Sequence, residues 1–339
     1  MQIPPPYKVI HCAPQKPFLK NITLYKLRPD RFLRSIRYRL QNIVFDKQKN
    51  VSFGEEYPDK TFYVIREKVG TIDGLGTIMC NVSEHIAYAK EKGYIPVIED
   101  KKIDNSWEIK YSQYFEQPEG YGTKDISKAK NVILSKRMTP SREFSLLPDI
   151  CIAQNKERLE YFRGIFKRYI HFNKETENYL NADFNRIVSG KKNILGCLVR
   201  GTDYTINKPS GHHIQPEIED AADKADKVMQ SYNCSFIYLA TESEKVYELF
   251  KRRFNSKLLV NGQKRYSAGD TGKKFRFISE ISSRRVNDRY LTNLEYMSSI
   301  NILSKCDCFV GGLTNGTAGA YLMSCGFKYD YVFDLGVYQ

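Results

Sequence analysis

The strongest constraint in this 339-residue chain is an alternation. From residue 193 onward, short apolar runs recur between helical stretches: NILGCLV (193–199), SFIYLAT (235–241), KLLV (257–260), DCFVGG (307–312) and YDYVFDL (329–335). Runs this short, rich in β-branched and aromatic residues, read as strands. Between them the sequence predicts helices over 216–232, where proline suits the first turn, and over 242–254, 291–305 and 316–324. Strands that alternate with helices build parallel sheets, and five of them fit a doubly wound, Rossmann-like domain.

The N-terminal half holds a second α/β unit. TFYVIRE (61–67) is a strand, GTIDGLGTI (70–78) a glycine-rich turn, 79–92 a helix with Val82, Ile86 and Ala89 on one face, and GYIPVIED (93–100) the next strand. NVILS (131–135) is a further strand, and 141–189 is largely helical after Pro148, with Tyr161, Ile165 and Tyr169 at fourfold spacing. The polar stretch 47–60, with Gly54 and Pro58, reads as a loop. The expected fold class is therefore α/β, with one domain over 1–190 and another over 191–339. Ligands in such sheets bind beyond the carboxyl ends of the strands, and two such domains leave a cleft between them.

Charge narrows the partners. Fifty-three Lys and Arg against 39 Asp and Glu give a formal charge of +14, which favours nucleic acid, phosphorylated small molecules or an acidic membrane surface. The positive charge is scattered and no RNA- or DNA-binding signature occurs, so nucleic acid is the weaker expectation. The 24 Tyr and 19 Phe exclude disorder as the main state. No apolar run approaches the roughly 18–20 residues of a membrane span, and MQIPPPYKVIHCAPQ lacks a signal core, so a cytoplasmic chain is expected. Residues 26–46 line up Phe32, Ile36, Leu40, Ile43 and Val44, with Arg31, Arg34, Arg37 and Arg39 around them. That is either a surface helix packed on a core or a peripheral contact with an anionic inner membrane surface. The eight cysteines (Cys12, Cys80, Cys151, Cys197, Cys234, Cys306, Cys308, Cys325) form no C-x-x-C and mostly lie in apolar runs, which predicts buried, reduced thiols. The five histidines lack zinc-ligand spacing, so no metal is expected.

The strand ends carry the chemistry. After 193–199 comes Arg200-Gly201-Thr202-Asp203-Tyr204; after 235–240, Thr241-Glu242-Ser243; after 307–312, Leu313-Thr314-Asn315-Gly316-Thr317. An arginine clamps a diphosphate bidentately, and Thr314 to Thr317 open a helix whose N–H groups suit phosphate oxygens. Asp203 and Glu242 can accept hydrogen bonds from a base, a ribose or Arg200. Other nucleotide motifs fail: Gly74-Leu75-Gly76 is followed by Met79 where a dinucleotide fingerprint needs glycine, GDTGKKF lacks the P-loop spacing, and no D-x-D occurs.

Taken in order, these motifs resemble the fucosyltransferase superfamily of GT-B glycosyltransferases, which includes α-1,6-, nodulation and protein O-fucosyltransferases. Leu198-Val199-Arg200-Gly201-Thr202-Asp203 is similar to the family's His-x-Arg-x-x-Asp. His213-Ile214-Gln215-Pro216 resembles a His-Pro helix start, and Ala240-Thr241-Glu242 an A-T-D. Leu303-Ser304-Lys305-Cys306-Asp307, with Thr314-Asn315, resembles the L-S-x-x-D strand and its turn. Gly74-Leu75-Gly76-Thr77 is similar to a glycine loop, and SWEIKYSQYFEQP (106–118) to an aromatic segment of bacterial members. The likeness spans about residues 61–335.

The resemblance implies two Rossmann-like domains facing a cleft, the N-terminal one on the acceptor side, and metal-independent, inverting transfer from a GDP-sugar, typically GDP-fucose, to a glycan acceptor. The GDP-sugar is a substrate; no cofactor is implied. Arg200 would neutralise the leaving GDP, Asp203 would orient Arg200 or touch the donor, and Thr241 and Glu242 would lie near the nucleoside. Thr314, Asn315, Gly316 and Thr317 would line the phosphates, with Gly74 and Gly76 approaching the donor. Asp73, His212, His213 and Asp203 stay open as general base, with Asp73 joining Arg200 and Asp203 in the expected catalytic set. Trp107 and Tyr114, with His213, are expected at the acceptor, aromatic faces being either sugar platforms or core. The basic stretch 261–289 (Lys264, Arg265, Lys273, Lys274, Arg276, Arg284, Arg285) is either a solvated loop or a lid over an anion. Another nucleotide sugar, a nucleotide-dependent kinase or dehydrogenase, and a basic RNA-binding scaffold are the competing readings.

Overall fold

In the computed structural model, residues 47–66, 75–100, 110–137, 139–146, 150–267, 281 and 285–339 are described; the side chains of Thr77, Ile150 and Cys151 are outside that description. They belong to one unit, Val44–Gln339. The amphipathic segment 26–46 lies outside the described residues.

The first sheet contains β1 (Lys49–Val51), β2 (Glu56–Ile65), β3 (Ile95–Ile98) and β4 (Ala129–Leu134) in the order β1-β4-β2-β3. β2 runs parallel to β3 and β4, while β1 is antiparallel to β4. β2 shows the period of two directly: Tyr63 and Ile65 enter the main core, Phe62 and Val64 a smaller one on the opposite face. The stretch 47–60 is thus not a loop. It supplies β1 and the start of β2, and the turn between them passes so close to β4's approach that a Cβ on Gly54 would lie 2.4 Å from the Lys128 carbonyl oxygen. Its polarity reflects an edge strand, where charged side chains are ordinary.

The second sheet contains β5 (Ile194–Leu198), β6 (Phe236–Ala240), β7 (Leu258–Leu259), β8 (Cys308–Gly312) and β9 (Tyr329–Phe333), all parallel, in the order β7-β6-β5-β8-β9. β5 is central, and the chain winds first to one side of it and then to the other. The topological switch therefore falls between β5 and β8, where ligands of such sheets bind. Ile194 and Leu198 face the main core and Leu195, Cys197 and Val199 the other, so both faces of β5 are apolar.

The helices are α1 (Leu75–Glu91), α2 (Thr123–Ile126), α3 (Ile150–Gln154), α4 (Lys156–Tyr169), α5 (Lys174–Val188), α6 (Asp203–Asn207), α7 (Ile218–Ser231), α8 (Glu244–Phe254), α9 (Asp288–Leu303) and α10 (Asn315–Met323). Asn155 and Asn173 cap α4 and α5 by accepting the N–H of Arg158 (3.0 Å) and of Thr176 (2.9 Å). α4 packs on α10 and α5 on α9, while α1 lies against β2, β3, α4 and α10. That position explains why α1 is buried on more than the single face its sequence advertises: Met79, Cys80, Ser83, Glu84 and His85 are as enclosed as Val82 and Ile86. One continuous core runs from β2 through α1 to α9, α10 and β5. α7 and α8 cover the opposite face of the second sheet. No helix of the described residues is long and apolar enough to cross a membrane. Cys80, Cys197, Cys234, Cys306 and Cys308 are buried free thiols; Cys325, expected among them, is exposed, because it follows α10 in a turn rather than lying in a strand.

Candidate active site

The register of the second sheet makes the site. Leu198 pairs with Ala240 on one side and Gly311 on the other, so the residues after β5, β6 and β8 emerge level with one another. Arg200 sits at their centre. Its Nη2 donates to Asp203 Oδ1 (2.6 Å) and its Nε lies 3.0 Å from Glu242 Oε1. That Nε is buried and its geometry is an ion pair without a hydrogen bond. Glu242 Oε1 also accepts the Thr202 hydroxyl (2.8 Å) and the Gly201 N–H (3.2 Å), and Asp203 Oδ1 accepts the Tyr204 N–H (3.0 Å). The guanidinium lies over the Tyr204 ring, 4.8 Å from its centroid, and that ring meets His212 edge-on at 5.2 Å. Burial works against the charge of Arg200, but Asp203 and Glu242 more than offset it and hold its pKa above the ordinary arginine value.

Local sequence explains the placement. A Cβ on Gly201 would lie 2.4 Å from Val246 Cγ2 and 2.7 Å from Ser243 Oγ, so only glycine lets the β5 exit run against the start of α8. Ser243 caps α8 by accepting the Val246 N–H (3.4 Å), and the Thr241 hydroxyl accepts the Ser243 N–H (3.2 Å). Thr314 caps α10 by accepting the Thr317 N–H (3.1 Å), while the Thr317 hydroxyl donates to the Gly312 carbonyl. Gln215 Nε2 bridges the carbonyls of His213 and Leu313 (both 3.1 Å), tying the segment before α7 to the exit of β8.

The first turns of α1 and α10 meet at this edge. A Cβ on Gly76 would lie 2.6 Å from the Tyr296 hydroxyl oxygen and 3.2 Å from Asn315 Cβ; one on Gly316 would lie 3.1 Å from the same oxygen and 3.1 Å from Leu198 Cδ2. Gly76, Asn315 and Gly316 therefore close on Tyr296, a residue of α9. Burial raises the Tyr296 pKa, and the charges of Arg200 and Glu242 act on it.

The strand-end residues Arg200, Asp203, Thr241, Glu242, Thr314, Asn315, Gly316 and Thr317 thus share one edge, and Gly76 joins them. Asp73, Gly74 and Trp107 lie outside the described residues. Tyr114 is a buried residue stacked on Tyr290 (5.3 Å), its hydroxyl accepting from Asn293 (3.2 Å), and burial pushes its phenol up to about 12. His213 pairs through its backbone with Val337, and its Nδ1 is buried without a partner among the described residues. In the basic stretch, Arg265 lies over Tyr247 (4.3 Å), and Arg285 is held by Glu295 (2.5 Å) and Asp288 (3.1 Å). Lys273, Lys274, Arg276 and Arg284 lie outside the described residues. Sequence reasoning left out Thr202, Tyr204 and Tyr296. The first two stood beside Arg200 and Asp203 in the quoted cluster, whereas Tyr296 lies mid-helix with no motif to mark it.

No protein-family model matches this sequence, and no curated protein matches it. Among solved structures, the chain is similar to the fucosyltransferase NodZ from Bradyrhizobium, with a TM-score of 0.46 and 15% identity over 78% of this chain and 94% of that one. It is also similar to a variant of Arabidopsis thaliana FUT1 in complex with GDP, with a TM-score of 0.48 and 10% identity over 88% of this chain and 74% of that one. A third similar structure is POFUT1 in complex with GDP, with a TM-score of 0.47 and 9% identity over 81% of this chain and 99% of that one.

Proposed function

We propose that the chain is a glycosyltransferase that binds a nucleoside-diphosphate sugar at this edge and transfers the sugar to a glycan acceptor without a metal, inverting the anomeric centre. The observation that carries the reading is Arg200 held between Asp203 and Glu242 beside the β5/β8 switch point, next to the first turns of α1 and α10. Loss of a diphosphate leaving group needs positive charge and N–H donors where negative charge develops. A prepositioned guanidinium and two helix N-termini supply both. The donor assignment, GDP-fucose, rests on the motif resemblance around Arg200, Thr241 and Thr314. Asp203 fixes Arg200 through its Oδ1, which accepts from both the guanidinium and the Tyr204 N–H. Among Asp73, His212, His213 and Asp203, we assign the general base to Asp73, in the glycine-rich stretch that precedes α1 in sequence. A lipid-linked surface polysaccharide, reached through 26–46 at the cytoplasmic face of the membrane, is the acceptor setting that suits the chain's basic charge.

The test is calorimetric titration of GDP, UDP and ADP in EDTA, with Arg200→Lys and Arg200→Ala beside the wild type. Selective GDP binding weakened in both variants, followed by GDP release from GDP-fucose in the presence of glycan acceptors, is the expected result. A wild type that ignores GDP, or binding indifferent to Arg200, sinks the reading. Arg200→Lys keeps a positive charge between Asp203 and Glu242. Arg200→Ala leaves two carboxylates uncompensated, at a cost of about 3–5 kcal/mol in stability, so each titration is paired with a melting curve.

A further inference from the structure

We propose that the Tyr296 hydroxyl binds a diphosphate oxygen of the donor, a contact that no strand-end residue announces. The assignment rests on the nucleotide-sugar reading above and adds a residue to that site.

Three observations converge on it. The hydroxyl oxygen is lodged where α1 and α10 meet: added Cβ atoms on Gly76 and Gly316 would lie 2.6 and 3.1 Å from it. Both positions are glycine, so backbone approaches the phenol from two sides. Next, the hydroxyl forms no hydrogen bond among the described residues. Phenylalanine would fill the same volume, and the residue is only half-buried, so its hydroxyl is open to a partner from outside the protein. The O–H is therefore surplus to packing. It also lies within reach of the charges of Arg200 and Glu242, which places it in the same local field as the guanidinium.

Charge balance then says what such a group is for. Arg200 is flanked by Asp203 and Glu242, so these three side chains sum to one net negative charge. A diphosphate added there gains little from Coulomb attraction to the cluster as a whole. Its oxygens need donors that carry no compensating anion. The first-turn N–H groups of α1 and α10 are such donors, and their positive helix ends abut at Gly76 and Asn315, an arrangement that an anion relieves. The Tyr296 O–H is a neutral side-chain donor at the same junction, and its bond to a phosphate oxygen is charge-assisted.

The experiment compares wild type with Tyr296→Phe for GDP, GMP and guanosine by calorimetry in EDTA, with a melting curve of each unliganded protein and the 31P shifts of bound GDP. A hydrogen bond to a charged group predicts that Tyr296→Phe loses about tenfold or more in GDP affinity. Guanosine affinity stays within about twofold, the unliganded melting temperature holds or rises, and the bound 31P shifts differ between the two proteins. Equal GDP affinity with unchanged 31P shifts overturns the Tyr296 assignment and leaves the nucleotide reading standing. An equal loss for guanosine overturns it too, because the hydroxyl would then serve the nucleoside. A wild type that binds none of the three overturns both readings together.

Discussion

Glu84 offers the sharpest quantitative prediction. It lies on α1, is 1% exposed, and accepts the Leu146 N–H at 2.6 Å through Oε1, while Oε2 is buried without a partner among the described residues. Burial pushes its pKa up to about 8, against the smaller opposing pulls of the Leu146 N–H and Arg158. The sign follows from the protons bound in each state. Below the ordinary value of 4.5 the carboxyl is protonated whether the chain is folded or not. Between there and about 8 the unfolded chain releases the proton and the folded chain keeps it. Stability therefore falls as pH rises through that window, by about 1.4 kcal/mol per pH unit. From pH 5.5 to 7.5 the loss is about 3 kcal/mol. With an unfolding entropy of about 2.1 cal/mol/K per residue over roughly 300 residues, that is about 5 °C in Tm. Glu84→Gln removes the titration while keeping an acceptor for Leu146. Melting curves of both proteins at pH 5.5, 6.5 and 7.5 should show the variant's Tm gaining on the wild type by about 5 °C across the series. A difference that stays flat with pH would refute the reasoning.

Other positions give equally concrete outcomes. Gly201→Ala forces a methyl into Val246 and Ser243, both essentially inaccessible, and overpacking of this kind costs about 1–3 kcal/mol. It should lower Tm and weaken GDP binding together, and a variant with wild-type affinity and Tm would show that the β5 exit is looser than its contacts indicate. Among the described cysteines, Cys325 should react first with a thiol reagent in the native protein, since burial pushes Cys80 and Cys234 each up to about 12. Cys325→Ser should remove one equivalent of fast labelling, and an unchanged fast phase would count against this account.

How much of this was legible beforehand depends on what each residue does. β5, β6, β8 and β9 were readable because strands in a parallel sheet are apolar on both faces, and the strand-end rule then singled out Arg200, Asp203 and Glu242. β1 was not, since Lys49-Asn50-Val51 is a mostly exposed edge with no alternation to detect. The helix α1 advertised one face because its polar members, Ser83, Glu84 and His85, look like solvent-facing residues in a sequence. Only its enclosure by β2, β3, α4 and α10 makes them interior. Tyr114 shows the converse limit. An aromatic cluster has the same composition whether it is a sugar platform or a core, and here Tyr114 stacks on Tyr290 in the interior. Tyr296 had no signal, because the two glycines that close on its hydroxyl, one 220 positions away and one 20, are brought to it only by the fold.

The pairing of one arginine with two carboxylates also has a physical rationale in the proposed reaction. A free arginine at a strand end keeps about 2 kcal/mol of rotamer entropy that a ligand would have to remove. Asp203 and Glu242 remove it in advance, and Thr202, Gly201 and the Tyr204 N–H fix the carboxylates in turn. The guanidinium is thus aimed before any donor arrives. These three side chains together carry one net negative charge, so by themselves they do not trap stray phosphate. Under the proposed reading, affinity for a diphosphate then draws on directed donors, the N–H groups of α1 and α10 and the Tyr296 hydroxyl. Such donors reward an oxygen in one position rather than negative charge in general, which is what a leaving group developing charge on one bridging oxygen requires.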